Sequence, residues 1–494
     1  MKDYILAIDQ GTTSTRAILF NKQGKPQYIA QREVECLFPK SGWVEQEALT
    51  LWISTIDVVN EVLVKANISF DSIDSIGLTN QRETTVIWDK KTGMPVANAI
   101  VWQSRQTYDI CQRFEEKKEF IHERTGLLIN PYFSASKIRF ILENIPDGQK
   151  RAENGELLFG TVDSWLIYKM TNGKVFATDI SNASRTLLFN INTMEWDKDL
   201  CELFNIPMCM LPEVLPSSYD YGAASFFTRD LHIRGVAGDQ QSALFGQTCW
   251  EKGESKNTYG TGCFMLMNIG DKPILSKNGL LTTVGWKIGD QVTYALEGSV
   301  FVGGALVQWL RDGMRIIHTS ADSEYEANKC MDTAGVYVVP AFVGLGTPYW
   351  DDEARGAIFG LTRNTTNYQF IKACLEGIDY QCKDVFEVMK KESGLKLKTL
   401  KVDGGATENK YLMQFQADIL NTKIMLPSCL QTTALGVAYL AGLNSGFFSD
   451  LDEIKNIHSY QATFKPSMPK EEINRRYKGW KSAIKATMMF KNND

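Results

Sequence analysis

Tyr4-Ile5-Leu6-Ala7-Ile8-Asp9 runs into Gln10-Gly11-Thr12-Thr13-Ser14 and then into Thr15-Arg16-Ala17-Ile18-Leu19-Phe20. The outer two segments are apolar runs of strand length, and the segment between them is a polar, glycine-bearing turn. Asn21-Lys22-Gln23-Gly24 supplies a second turn before a third extended run at residues 26–35. Three strands joined by short turns form an antiparallel meander, since parallel strands would need a crossover of a dozen residues or more. Working outward, residues 49–65 carry apolar side chains near helical spacing, and residues 73–78 and 84–88 read as strands.

A related order returns in the second half. Residues 255–269 are β-rich around Tyr259-Gly260-Thr261-Gly262, residues 292–296 read as a strand and residues 303–311 as a helix. Phe370, Ile371, Cys374, Leu375, Ile378, Cys382, Val385, Phe386 and Met389 share one face of a long helix that Gly394 stops. Leu400-Lys401-Val402-Asp403 is a strand, followed by Gly404-Gly405-Ala406-Thr407 and a helix to about residue 420. The halves share element order and no direct repeat. The break between them falls near residues 246–253, which predicts domains at 1–249 and 250–494 in an α/β protein.

The 494 residues carry 53 Lys plus Arg against 58 Asp plus Glu, a net charge of −5. With 44% hydrophobic and 22% charged residues, the chain has the makeup of a globular protein, and disorder or a fibrous repeat is not expected. Slight acidity argues against a nucleic-acid partner, which needs a basic surface. The apolar stretch at residues 335–346 is shorter than the roughly 18–20 residues of a membrane helix. Met1-Lys2-Asp3-Tyr4 lacks a signal-peptide pattern and Lys491-Asn492-Asn493-Asp494 is no peroxisomal address, so a cytoplasmic location is expected. Ten scattered cysteines without a C-x-x-C pair and four distant histidines point to reduced thiols and no histidine metal cage.

Three turns rich in Gly, Thr or Asp follow strands: residues 9–14, residues 258–262 and residues 403–406. Glycine lets backbone N–H groups approach phosphate oxygens, and hydroxyls add donors. Any one turn could serve tight geometry alone; the three together favour a nucleotide site. A strand-end carboxylate such as Asp9 suits Mg²⁺. No G-x-x-x-x-G-K-[ST], third dinucleotide glycine or protein-kinase H-R-D set is present. Asp239, in Gly238-Asp239-Gln240-Gln241, could serve as general base, metal ligand or cap of a helix beginning at Gln241. Asn80-Gln81-Arg82-Glu83-Thr84-Thr85 offers donors and acceptors for a polyhydroxy substrate, or a plain surface ion pair. Trp102, Tyr132 and Phe264 could wall a small carbon chain or pack the core.

Taken together, these motifs resemble the FGGY family of sugar kinases from about residue 4 to residue 480. Residues 9–16 are similar to its first phosphate motif, residues 238–241 to its second and residues 403–405 to its adenosine motif. Residues 80–84, Trp102, residues 131–134 and residues 259–264 resemble the branch of the family that acts on glycerol. The resemblance implies two ribonuclease-H-like βββαβαβα domains of actin/hexokinase type, with mixed sheets flanked by helices and the active site in the cleft between them. It implies an N-terminal domain for glycerol and phosphates and a C-terminal domain for the nucleotide. It implies ATP-dependent phosphorylation of glycerol to glycerol 3-phosphate, with Asp239 as general base. Arg82, Glu83, Tyr132, Asp239 and Gln240 would bind the hydroxyls, and Trp102 and Phe264 the carbon backbone. Thr12, Thr13, Ser14 and Arg16 would line the phosphates. Thr261, Gly304, Gln308, Gly405 and Asn409 would hold the nucleotide, with Mg²⁺ near Asp9 and Asp239. A homodimer or homotetramer is the assembly the resemblance implies. The rivals are a kinase of another polyol or ketose, and an actin-like ATPase that binds protein.

Overall fold

The computed structural model describes residues 2–490; Met1 and the closing tetrapeptide at 491–494 lie outside them. The opening meander is β1 (Tyr4–Gln10), β2 (Ser14–Phe20) and β3 (Pro26–Glu33), with both pairings antiparallel. Helix α1 (Ala48–Ala66) leads to β4 (Ile73–Asn80), and a long excursion leads to β5 (Ile233–Gly238). Both join in parallel on the other side of β1, giving the order β5-β4-β1-β2-β3. β1, β4 and β5 are buried along nearly their whole length because both faces of the sheet are covered. The expected strand at residues 84–88 forms as Val86–Asp89, but it pairs with Leu157–Gly160 in a separate ribbon.

Helix α2 (Asp239–Gly246) passes the chain to the second sheet. Its strands are β6 (Ser255–Tyr259), β7 (Cys263–Gly270), β8 (Leu281–Ile288), β9 (Gln291–Val300), β10 (Thr399–Asp403), β11 (Lys423–Pro427) and β12 (Tyr460–Phe464). Their order is β8-β9-β7-β6-β10-β11-β12. β6 occupies the place of β1: antiparallel to β7, which is antiparallel to β9, and parallel to β10 and through it to β11. The second sheet therefore repeats the first and adds one strand at each edge. Helices α3 (Gly304–Asp312), α4 (Asn367–Ser393) and α5 (Lys410–Leu420) accompany it. A capping box on Thr366 starts α4, and Gly394 in the left-handed region ends it.

Helix α6 (Thr432–Ser445) lies in sequence between β11 and β12 of the second sheet but packs on the first. Ala434, Leu435, Val437, Ala438 and Ala441 share a core with Ile5, Ala7, Ile18 and Phe20, and with Leu244 and Phe245 of α2. Backbones touch in this layer: a Cβ on Gly436 would lie 1.9 Å from the Ser242 carbonyl oxygen, and one on Gly77 would lie 2.4 Å from that of Val437. The halves are thus interlocked, and a cut in sequence near residue 250 separates the sheets but leaves α6 on the far side. Gly77→Ala forces a methyl against a helix backbone that cannot yield as a side chain would. Overpacking of this kind costs about 1–3 kcal/mol or more, so thermal unfolding of the variant should begin several degrees below wild type; an unchanged midpoint would contradict the contact.

Candidate active site

The parallel strands β4 and β5 end side by side, and the chain after each supplies the polar groups of one pocket. After β4, the Gln81 N–H donates to the Gln10 carbonyl (2.8 Å) and the Gln81 amide to Gln46 Oε1 (2.8 Å), which pins the turn. Glu83 then takes φ of 59°, a left-handed conformation costly for a non-glycine residue. After β5, the Gly238 N–H donates to Ser181 Oγ (2.9 Å), and that hydroxyl donates to Asp179 Oδ1 (2.9 Å). Asp239 is the first residue of α2, with Gly238 as its cap, so the helix starts two residues earlier than expected. Gly238 leaves room for Arg82: a Cβ there would meet Arg82 Cγ at 2.7 Å and Cδ at 2.8 Å.

Arg82 crosses that gap to the centre of the pocket. Its Nε lies 3.1 Å from Asp239 Oδ1. Its Nη1 and Nη2 grip Glu297 at 2.5 and 3.0 Å, and Nη2 reaches the Tyr132 hydroxyl at 3.4 Å. Arg185 Nε donates to Glu83 Oε1 (2.6 Å) and its Nη2 to Glu297 Oε1 (2.9 Å). All of these side chains are buried except Asp239, which keeps 29% exposure. Burial pushes the Glu297 carboxyl up, but Arg185 and Arg82 outweigh it and hold the group at about 2. Burial pushes Glu83 up, and Arg185 and Arg82 only partly offset it.

Gln240 completes the polar set. Its backbone N–H donates to Asp239 Oδ1 (2.7 Å) and its side-chain amide to Asp239 Oδ2 (3.2 Å). Its carbonyl accepts from Lys256, a fully buried ammonium on β6 that also donates to Thr258 Oγ1 (2.8 Å). An ammonium can only donate, so Lys256 fixes which end of the Gln240 amide faces Asp239. Burial pushes Lys256 down to about 8, against the pull of Asp403 and Asp239. Three aromatic rings meet beside these groups: the Trp102 ring is edge-on to Tyr132 (5.7 Å between centroids) and to Phe264 (6.1 Å). The Trp102 indole N–H donates to Thr12 Oγ1 at 2.8 Å, joining this wall to the first turn.

That first turn closes through the Gly11 N–H to the Ser14 carbonyl (2.9 Å), leaving Thr13 exposed. Arg16 stands opposite Asp9 in the ladder and donates to Gln31 (3.0 Å) and Gln431 (3.3 Å). Burial pushes Asp9 up to about 6; Arg16 pulls it down and the Asp239 carboxylate pushes it further up. Two carboxylates that repel across the pocket suit a divalent cation. No cluster of three or more His, Cys, Asp or Glu forms among the described residues. Asp9 and Asp239 fit Mg²⁺, which takes one or two carboxylates and fills its shell with phosphate and water.

Across the cleft, the Gly304 N–H donates to the Gly260 carbonyl and the Ala305 N–H to the Thr261 carbonyl, which brings Thr261 to the head of α3. Thr261 and Gln308 are exposed there. Gly404 has φ of 94° and lies against Tyr259, where a Cβ would fall 2.3 Å from the carbonyl oxygen, while one on Gly405 would meet nothing within 4 Å. Asn409 caps α5 by accepting from the Leu412 N–H (2.9 Å) and donates to Ser323 (3.2 Å), so its amide already has partners at both ends. Asp403 is a strut, accepting from Gln247 (2.8 Å) and Thr432 (2.7 Å).

Residues 4–246 match the N-terminal domain of the FGGY family of carbohydrate kinases, and residues 255–445 match its C-terminal domain. The chain belongs to that family. Among its FGGY relatives, a glycerol kinase of Geobacillus sp. (strain WCH70) and one of Bacillus subtilis (strain 168) are each 55% identical over 496 residues, covering 99% of this chain and 100% of theirs. The crystal structure of Plasmodium falciparum glycerol kinase with ADP is 36% identical, with a TM-score of 0.92 over 99% of this chain and 98% of that one. A gluconate kinase from Lactobacillus acidophilus, 21% identical with a TM-score of 0.87, shares the FGGY fold. No helix among the described residues is long and apolar enough to cross a membrane.

The pocket brings together Arg82, Glu83, Trp102, Tyr132, Asp239, Gln240 and Phe264 by direct contact or one shared partner. Sequence reasoning missed Arg185, Lys256 and Glu297. Glu297 left a signal, a lone carboxylate inside the strand Tyr294-Ala295-Leu296-Glu297-Gly298, since a charge in a buried strand needs a partner. Gly238→Ala should displace the Arg82 side chain and lower the unfolding midpoint, at a cost of about 1–3 kcal/mol. Thermal unfolding by circular dichroism checks it, and a wild-type midpoint would contradict the crossing.

Proposed function

We propose that this chain transfers the γ-phosphoryl group of ATP to a terminal hydroxyl of glycerol, yielding glycerol 3-phosphate and ADP. The observation that carries the reading is Asp239. It heads α2, keeps part of its surface open, and sits within 3.1 Å of an arginine that the pocket's other polar groups surround. The full-length similarity to glycerol kinases selects glycerol among the substrates of the family.

Arg82, Glu83, Tyr132 and Gln240 take the hydroxyls, and Trp102 and Phe264 flank the carbons. Asp239 accepts the proton of the attacking hydroxyl as the oxygen approaches phosphorus in line. Thr12, Thr13, Ser14 and Arg16 line the phosphates; Thr261, Gly304, Gln308, Gly405 and Asn409 line the nucleotide. Asp9 and Asp239 would hold Mg²⁺, which would supply charge neutralisation for the transferring group. Residues 1–249 thus carry the phosphates and every glycerol contact but Phe264, and residues 250–494 carry Phe264 and the nucleotide. A homodimer or homotetramer in the cytoplasm goes with this reading by family analogy alone.

Glycerol is small, so its affinity rests on matched hydrogen bonds. A site built this way rejects an analogue lacking one hydroxyl by up to ~10⁴–10⁵. ADP release should depend on added glycerol and fall to near background with 1,2-propanediol or longer sugars; release that ignores glycerol would instead favour a bare ATPase. Asp239→Asn should lose roughly 10²–10⁴ in kcat, the usual worth of a general base. A loss below tenfold in steady-state turnover would remove Asp239 from that role.

A further inference from the structure

Glu297 belongs to β9 of the second sheet, yet its carboxylate is spent inside the pocket built by the first. Arg82 holds it with two nitrogens, at 2.5 and 3.0 Å, and Arg185 adds a third contact at 2.9 Å. Arg185 also holds Glu83 at 2.6 Å, and its guanidinium lies 5.6 Å from the Tyr132 ring centroid and 5.3 Å from that of Phe133. One connected set of bonds therefore runs from Glu297 through Arg82 to Asp239 and Tyr132, and through Arg185 to Glu83. Four of the five groups assigned to the glycerol hydroxyls hang on it.

Stability alone does not account for this arrangement. A buried ion network is often no more stable than well-packed apolar side chains of the same volume. Both glutamates and both arginines here are at most 3% exposed, and Arg185 Nη1 is buried with no acceptor among the described residues. What the network does secure is direction. A forked guanidinium gripped on two nitrogens has one orientation, which fixes where its remaining N–H groups point.

We propose that Glu297 and Arg185 are positioning residues for the glycerol site, and that through Glu297 the geometry of that site depends on the second sheet being docked against the first. The inference rests on the function proposed above. Neither residue need touch substrate; they act through Arg82 and Glu83.

Glu297→Gln keeps the shape but replaces a two-oxygen acceptor with one oxygen and an amide donor facing two arginines. Misplacement of binding groups by about 1 Å costs up to ~10²-fold. Steady-state kinetics of the full-length variant should therefore show a glycerol KM raised on the order of 10- to 100-fold while the ATP KM stays within about threefold. Arg185→Lys, which keeps the charge and loses the fork, should show the same split. A merely structural role would lower kcat through the active fraction and leave the glycerol KM in place. A glycerol KM within about twofold of wild type, or equal rises for both substrates, would overturn the proposal. If circular dichroism shows Glu297→Gln unfolded, Arg185→Lys decides by the same criterion. Wild type assayed alongside keeps the two ideas apart: absence of glycerol-dependent ADP release there would overturn the function itself, whereas an active wild type with indifferent variants overturns only the positioning role.

Discussion

Two arginines share one carboxylate at the seam between the two sheets, and the form of the pocket follows from that bond. Glu297 reaches out of β9 to Arg82, and Arg82 reaches through the space that Gly238 leaves open. Removing three charges from water costs several kcal/mol per ion, and mutual attraction repays it only with tight geometry. The pairings at 2.5–3.0 Å supply that geometry, and they hold only when the second sheet lies against the first. The depressed Glu297 carboxyl and the raised Glu83 carboxyl show how the charge is shared: the first is satisfied by two cations, while the second has Arg185 on one oxygen. A carboxylate with acceptor capacity to spare is what a polyol site needs.

Beneath the pocket the backbone is as constrained as the charges are. Strand ends β4 and β5 deliver Arg82 and Asp239 to the same spot because they pair in parallel, and α6 covers them at backbone contact distance over Gly77 and Gly235. The Ser181 hydroxyl ties the Gly238 N–H to Asp179, so the residue before Asp239 is held from the side as well. A base is useful only if it stands within hydrogen-bond reach of the proton it takes. Here that position is set by a strand end, a helix start and an arginine together.

Much of this was legible in the sequence, and the limits were physical. Strands at 4–20, the long helix to Gly394 and the turns after strands are local patterns, which periodicity and glycine placement reveal. Arg82 and Asp239 stand in dense polar motifs, whose local composition marks them as candidates without knowledge of their neighbours in space. Arg185 and Lys256 could not be read that way: their partners lie 102 and 112 residues away for Arg185, and Lys256 sits in an ordinary-looking strand. The placement of α6 was equally hidden, because its apolar character is nearly uniform around the helix and names no particular sheet. The helix start at Asp239 in place of Gln241 is a smaller difference: Gly238, the last residue of β5, is itself the cap.

The most direct measurement is a crystal structure of the protein with glycerol and a non-hydrolysable ATP analogue. The account predicts one terminal hydroxyl of glycerol within about 2.6–3.2 Å of the Asp239 carboxylate and facing the γ-phosphorus, with the other hydroxyls on Arg82 and Glu83. Glycerol bound elsewhere, or Asp239 turned away from both ligands, would contradict it.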